Sequence, residues 1–209
     1  MTTPSDCVAI IPAKGTSRRI PRKNLAMCAG QTLVERAIHC AVEAKLFQAI
    51  LVSSEDVEIL ERVSDLMGLH SMATVYPCHR PSVLSTEGVG VAAVVSDLLA
   101  RNKYRWPSFC ILWPTSPLRT AGILHLCWED FQGFPCLHTV YSDRPAKHDG
   151  TALFMHTQYF LTHLTLDLDK TDGTTFKMNP NECIDVDTPE DLAEAERRLL
   201  AREAACPSS

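Results

Sequence analysis

Val8-Ala-Ile-Ile-Pro-Ala-Lys-Gly-Thr-Ser-Arg-Arg-Ile-Pro-Arg-Lys-Asn-Leu25 is the stretch around which the chain is organised. Its first four residues are an apolar run that reads as a buried strand, ended by Pro12. The loop that follows carries Lys14, Arg18, Arg19, Arg22 and Lys23, five cations within ten residues. Gly15, Thr16 and Ser17 are small, so backbone N–H groups there can come close to an anion. A buried strand feeding a cationic, small-residue loop is how an α/β protein commonly holds a phosphate chain. The competing reading, a solvated basic loop, is weakened by the strand and by the Gly-Thr-Ser. Neither G-x-x-x-x-G-K-[ST] nor G-x-G-x-x-G is present, so this is no P-loop and no dinucleotide fingerprint.

The rest of the chain is acidic. Its 209 residues carry a net charge of −5, with 45% hydrophobic and 22% charged residues. That describes a globular chain of single-domain size and argues against a nucleic-acid partner. The local cations therefore suit a small polyanion. Nine cysteines, an odd number without C-x-x-C pairing, read as reduced thiols buried as small hydrophobes in a cytoplasmic protein. The N-terminus lacks a secretory pattern, and no apolar run reaches the length of a membrane span, so no membrane partner is expected.

Outward from the first strand, apolar spacing predicts a helix over 32–47, a strand at 49–53, and a helix capped by Ser54 and stopped at Gly68. A strand over 71–76, a loop over 77–90 and a helix over 91–100 follow. The strand at 109–113 is the most apolar and is expected to be central. A turn Pro114-Thr-Ser-Pro-Leu-Arg119, a helix over 121–131 and strands at 136–141 and 152–156 come next, with a polar, mobile loop over 142–150 between the two strands. A last strand at 182–186 leads into a helix capped by Thr188, with Pro189 at its first position and Asp191 bonding back to the cap. A frayed tail is expected after 205. Alternating strands and helices predict a three-layer α/β/α sandwich around a mostly parallel, Rossmann-like sheet, with ligands at the carboxyl ends of the strands.

Asp185-Val-Asp187 would place two carboxylates on one side of that last strand. Two hard oxygen ligands suit Mg²⁺, which takes one or two protein carboxylates and completes its shell with phosphate oxygens and water. The bland alternative is a polar strand end entering a capped helix. Asp167-Leu-Asp169 is a rival pair, but its polar flanks read as an exposed acidic turn. None of the eight histidines makes an H-E-x-x-H or a zinc spacing. His148, in the polar loop beside Lys147, is the one placed to touch an acceptor.

Three ordered motifs give the chain a resemblance to the acylneuraminate cytidylyltransferases, the synthetases of CMP-activated sialic acids. Ile11 to Leu25 is similar to that family's I-P-A-R-G-G-S-K-x-I-P-x-K-N-[LI]. Pro114 to Arg119 is similar to its P-T-S-P-L-R turn, and Ile184-Asp-Val-Asp-Thr-Pro-Glu-Asp-Leu192 to its I-D-I-D-T-x-x-D-L. The resemblance implies a nucleotide-diphospho-sugar transferase-like fold and a Mg²⁺-dependent transfer of CMP from CTP to a sugar-acid hydroxyl, releasing pyrophosphate. It implies that Lys14, Gly15, Ser17, Arg18 and Lys23 hold the triphosphate, with Lys14, Arg18, Lys23 and Asp187 catalytic. Asn24 and Arg80 would face the nucleoside, Asp185 and Asp187 the metal, and Thr115, Ser116, Lys147 and His148 the acceptor. A homodimer is also implied, through an arm that is short here, over 141–150. Trp113 stands where the family often has Gln, and Lys14 where it has Arg. These departures leave open another acid acceptor, such as a phosphonate, or a nucleotide-binding homologue without turnover. A metal-dependent glycosyltransferase is disfavoured, because its paired Asp would sit mid-chain.

Overall fold

A computed structural model of the chain describes residues 6–67 and 74–205. In chain order these form β1 (Cys7–Pro12), a two-strand ladder of β2 (Met27–Cys28) and β3 (Gln31–Thr32), α1 (Leu33–Ala44), β4 (Ala49–Ser54), α2 (Val57–Leu66), β5 (Thr74–His79) and α3 (Val91–Arg101). β6 (Ser108–Ile111), α4 (Ala121–Phe131), β7 (Cys136–Tyr141), β8 (Arg144–His156), α5 (Thr157–His163), β9 (Thr174–Met178) and α6 (Pro189–Ala205) follow. One seven-stranded sheet runs in the order β5-β4-β1-β6-β8-β7-β9. β8 is antiparallel to both of its neighbours, and every other pairing in that sheet is parallel. β6 is the middle strand, as its hydrophobicity predicts.

Alternation along β1 divides the core between two faces. Ala9 and Ile11 pack with Val34 and Ile38 of α1, Ile59 and Val63 of α2, and Leu124 and Phe131 of α4. Val8 and Ile10 face the other way, onto Val95 and Leu99 of α3 and Phe160 of α5. The result is the expected three-layer α/β/α sandwich. Among the described residues no helix is long and apolar enough to cross a membrane.

A third apolar cluster positions the site. Ala195 and Leu199 of α6 pack with Ile20 from the cationic loop, Leu118 from the proline turn, and Val186 from the acidic segment. One helix thus draws together three segments that lie far apart in the sequence. α6 starts as its sequence predicts. Thr188 Oγ1 accepts from Asp191 N at 3.2 Å, and Asp191 Oδ2 accepts from Thr188 N at 2.8 Å.

Several expectations are corrected. The strand expected at 182–186 is absent: residues 183–187 pair with no strand, and although Cys183 packs on Met178 of the edge strand β9, the backbone is tied to the proline turn instead. Their link there is Val186 N to Thr115 O, at 2.7 Å. The supposed mobile loop over 142–150 is largely the first half of β8, whose polar side chains reflect irregular pairing with β7 and proximity to clefts. α2 is capped by Asp56, which accepts from Glu58 N at 3.0 Å and Ile59 N at 3.3 Å. Ser54 lies two residues too early, buried at the end of β4. β5 runs on through Pro77 to His79, which an edge strand tolerates. β9 and α5 go unanticipated. The expectations for Gly68, for 71–73 and for the tail over 206–209 lie outside the described residues.

Candidate active site

The segment after β6, together with β7 and β8, borders a cleft of about 870 Å³. Lys23, Thr115, His148, Asp185 and Asp187 line it, together with Trp113 and His138. Of the cationic loop, Lys23 is the residue that lines this cleft. Its ammonium donates to Val186 O at 2.8 Å and to Asp187 Oδ1 at 3.0 Å. Arg19 closes on the other carboxylate oxygen, Oδ2, also at 3.0 Å. Asp185 is more enclosed. Burial, reinforced by the nearby Asp187 charge, lifts its carboxyl above the ordinary range, against an opposing hydrogen bond from Thr115.

Lys14, Ser17 and Arg18 line a neighbouring cleft of about 410 Å³, with Glu87, Gly88 and Val89 opposite. The two clefts meet at the 86–92 segment, where Val89 belongs to the smaller and Gly90 to the larger. Arg18 is ion-paired to Glu87 across the smaller cleft. The cationic loop is therefore split between two connected hollows, with Lys23 on the carboxylate side and Lys14 and Arg18 on the other.

Other sequence-predicted residues turn inward as braces. The buried Asn24 amide donates to Lys14 O at 2.8 Å, fixing the loop from beneath. The Gly15 N–H donates to Glu55 Oε1 at 2.9 Å, so that amide is already committed within the protein. A Cβ on Gly15 would lie 2.6 Å from Asp56, which explains the need for glycine there. Arg80 is buried, and its guanidinium donates to Ser53 O at 2.6 Å. Ser116 is buried too, with Oγ donating to Asp149 O at 3.3 Å. None of Asn24, Arg80 and Ser116 lines either cleft.

Lys147 and His148, adjacent on β8, face opposite ways. His148 enters the large cleft. Lys147 enters a polar hollow of about 330 Å³ behind the aspartates, with Arg144, Arg198 and Tyr141. His148 Nδ1 accepts from Gly150 N at 2.8 Å, so the proton sits on Nε2. Its ring meets Trp113 edge-on at 4.8 Å and His138 at 5.7 Å between centroids. His138 Nδ1 and His148 Nε2 are both buried without a hydrogen-bond partner. Burial pushes the His138 imidazole down to about 4 and lowers His148 as well, so this wall is uncharged near neutrality.

Two residues of the site are missed from sequence. His138 sits in an apolar strand that gives no sign of a cleft. Arg119, read only as part of a turn, is a buried clasp that donates to Trp113 O at 2.7 Å, Gly150 O at 3.2 Å and Thr151 O at 2.5 Å. It locks the proline turn to β8.

Among the described residues no group of three or more His, Cys, Asp or Glu side chains comes together to hold a metal ion. Asp185 and Asp187 are a pair lining the large cleft beside Lys23 of the cationic loop. That donor set fits Mg²⁺ bound jointly with phosphate oxygens and fits a self-contained protein cage poorly.

Residues 8–99 match a family model described as cytidylyltransferase. That match takes in the first strand, the cationic loop and the chain as far as the third helix. It is 32% identical over 131 residues to a pseudaminic acid cytidylyltransferase of Campylobacter jejuni, covering 59% of this chain and 52% of that protein. The chain spans about half the length of the curated relatives it matches. Its fold superposes on a CMP:2-keto-3-deoxy-manno-octonic acid synthetase complexed with CTP, with a TM-score of 0.70 at 14% identity, covering 95% of this chain and 100% of that one. It also superposes on Rv0371c of Mycobacterium tuberculosis in complex with manganese, with a TM-score of 0.65 at 16% identity, covering 94% and 100%.

Proposed function

We propose that the chain is a single-domain, Mg²⁺-dependent cytidylyltransferase that joins CMP from CTP to the hydroxyl of a sialic acid-like sugar acid and releases pyrophosphate. The observation that carries this reading is the convergence of Lys23, Asp185 and Asp187 in one cleft, 3.0 Å separating the Lys23 ammonium from Asp187. The names of the matched family and of the pseudaminic acid relative support the same chemistry. The free thiols, eight among the described residues, suit a reducing, cytoplasmic setting.

In this reading Lys14, Ser17 and Arg18 take the outer phosphates, and Lys23 the phosphate at which bonds change. Arg18 leaves Glu87 for the nucleotide. Asp185 and Asp187 would hold the metal, which neutralises phosphate charge and acidifies the attacking hydroxyl. Transfer of this kind needs charge neutralisation and in-line placement more than a covalent intermediate. Thr115 and His148 contact the acceptor directly, and Lys147, from behind the aspartates, adds attraction for its acid group. Asn24, Arg80 and Ser116 serve by bracing the loops that do the contacting.

A pyrophosphate-release screen of the four ribonucleoside triphosphates against several 2-keto sugar acids and a phosphonate acid tests the reading. CTP with a sugar acid is expected to give release, and Asp187→Ala to lower it by at least about 100-fold, the scale for loss of a transition-state charge stabiliser. Undiminished release in Asp187→Ala refutes the metal assignment. CTP binding without release against every acceptor would favour a homologue that has lost turnover.

A further inference from the structure

Both carboxylate oxygens of Asp187 are held by cations of the same loop, Oδ1 by Lys23 and Oδ2 by Arg19, each at 3.0 Å. The two cations differ in setting. The Lys23 side chain is 16% exposed and is also anchored to the Val186 carbonyl. The Arg19 side chain is 61% exposed, on an irregular part of the loop from which it can swing. Asp185 is hydrogen-bonded to the neutral Thr115 and feels Lys23 and Lys147 only through their charge. A divalent ion arriving alone would have to displace the cations from Asp187 and then sit beside them, which Coulomb repulsion opposes. A triphosphate entering the cleft offers Arg19 and Lys23 other oxygens and frees Asp187.

We propose that Arg19 is a positioning residue that keeps Asp187 occupied until a nucleoside triphosphate draws the guanidinium away, so that divalent metal binds tightly only together with the nucleotide. The inference rests on the cytidylyltransferase reading and adds to it a residue and an order of assembly. By linkage, the factor by which CTP tightens metal binding equals the factor by which metal tightens CTP binding. Arg19 sets part of that factor.

The test uses the full chain and Mn²⁺ as the probe, with free ion measured by electron paramagnetic resonance, with and without CTP and with no acceptor present. In the wild type, Mn²⁺ alone binds weakly and CTP tightens it. In Arg19→Gln, Mn²⁺ alone binds about fivefold tighter, the upper range for an exposed ion pair, and the tightening by CTP shrinks in proportion. Arg19→Lys keeps the charge and follows the wild type. In an Asp187→Ala background the Arg19→Gln effect disappears. Equal Mn²⁺ affinity and equal CTP tightening in wild type and Arg19→Gln overturn the inference while leaving the cytidylyltransferase reading intact. So does an Arg19→Gln effect that persists without Asp187. A wild type that binds no CTP overturns the cytidylyltransferase reading and the inference with it.

Discussion

At His138 the side chain is 1% exposed, Nε2 lies 3.2 Å from Thr171 Oγ1, and Nδ1 has no partner. Burial holds this imidazole down to about 4, against an ordinary value near 6.5 in an unfolded chain. Above about pH 6.5 the ring is neutral in both states. As pH falls toward 4 the unfolded chain takes up a proton that the folded protein refuses, so stability is lost on acidification. The difference amounts to about 3 kcal/mol at most. Thermal melts of the wild type and of His138→Gln should therefore diverge between pH 6.5 and 4, with the wild type losing more. A constant gap across that range would contradict the buried, neutral assignment. The same residue shows why single positions resist reading from sequence. Lys23 and Asp187 could be singled out because charge beside a small-residue loop, and at the entry to a capped helix, stands out in sequence, and the structure brings the two together. Asn24 and Arg80 were legible as members of a motif, but nothing in their identity says that their side chains turn inward onto backbone carbonyls.

Among the elements, β8 carries the greatest local demand. Gly150 has φ near +78°, and a Cβ there would stand 2.7 Å from Ser116 Oγ and 3.7 Å from Asp185 Oδ1. Gly150→Ala is expected to lower stability by about 1–3 kcal/mol in urea unfolding, from the strained backbone and the clash together. It should also reduce pyrophosphate release, since the residue displaced stands beside a carboxylate of the site. Unchanged unfolding and turnover would show that the turn relaxes freely. Helices and central strands followed their periodicity closely, and α4 and β7 match their predicted spans. β8 was hidden because its first half is polar, as a strand lining two hollows must be. β9 was hidden because an edge strand exposing Thr175 and Lys177 has too few apolar residues to register. The acidic segment passed for a strand because its buried Cys183 and Val186 imitate one, although its backbone bonds to the proline turn and to no strand.

For the whole molecule, a nucleotide that bridges the cationic loop, the 86–92 segment and the α6-anchored aspartates binds only the folded state. CTP at 100 times its dissociation constant should then stabilise the protein by about 2.7 kcal/mol. For a chain of this size that is roughly 5–10 °C in Tm. A thermal-shift series with Mg²⁺ and each of the four triphosphates should show the largest rise with CTP, and equal shifts for all four would argue against a cytidine-specific site. The sheet itself is built from two blocks. β5, β4, β1 and β6 come from residues 74–79, 49–54, 7–12 and 108–111, whereas β8, β7 and β9 are contiguous in the chain between Cys136 and Met178. The blocks meet along a single antiparallel seam, where Ser108 to Ile111 pair with His156 to Leu153. One uninterrupted length of chain thus supplies His138, Lys147 and His148, while Lys14, Arg18, Lys23 and the aspartates lie outside it. Under the proposed function, the part of the acceptor wall formed by His138, Lys147 and His148 is consequently an exchangeable cassette. Recombination at two crossover points, before β7 and after β9, would transplant that part provided the four seam residues and the Arg119 contacts to β8 are kept, with Thr115 staying behind on the proline turn.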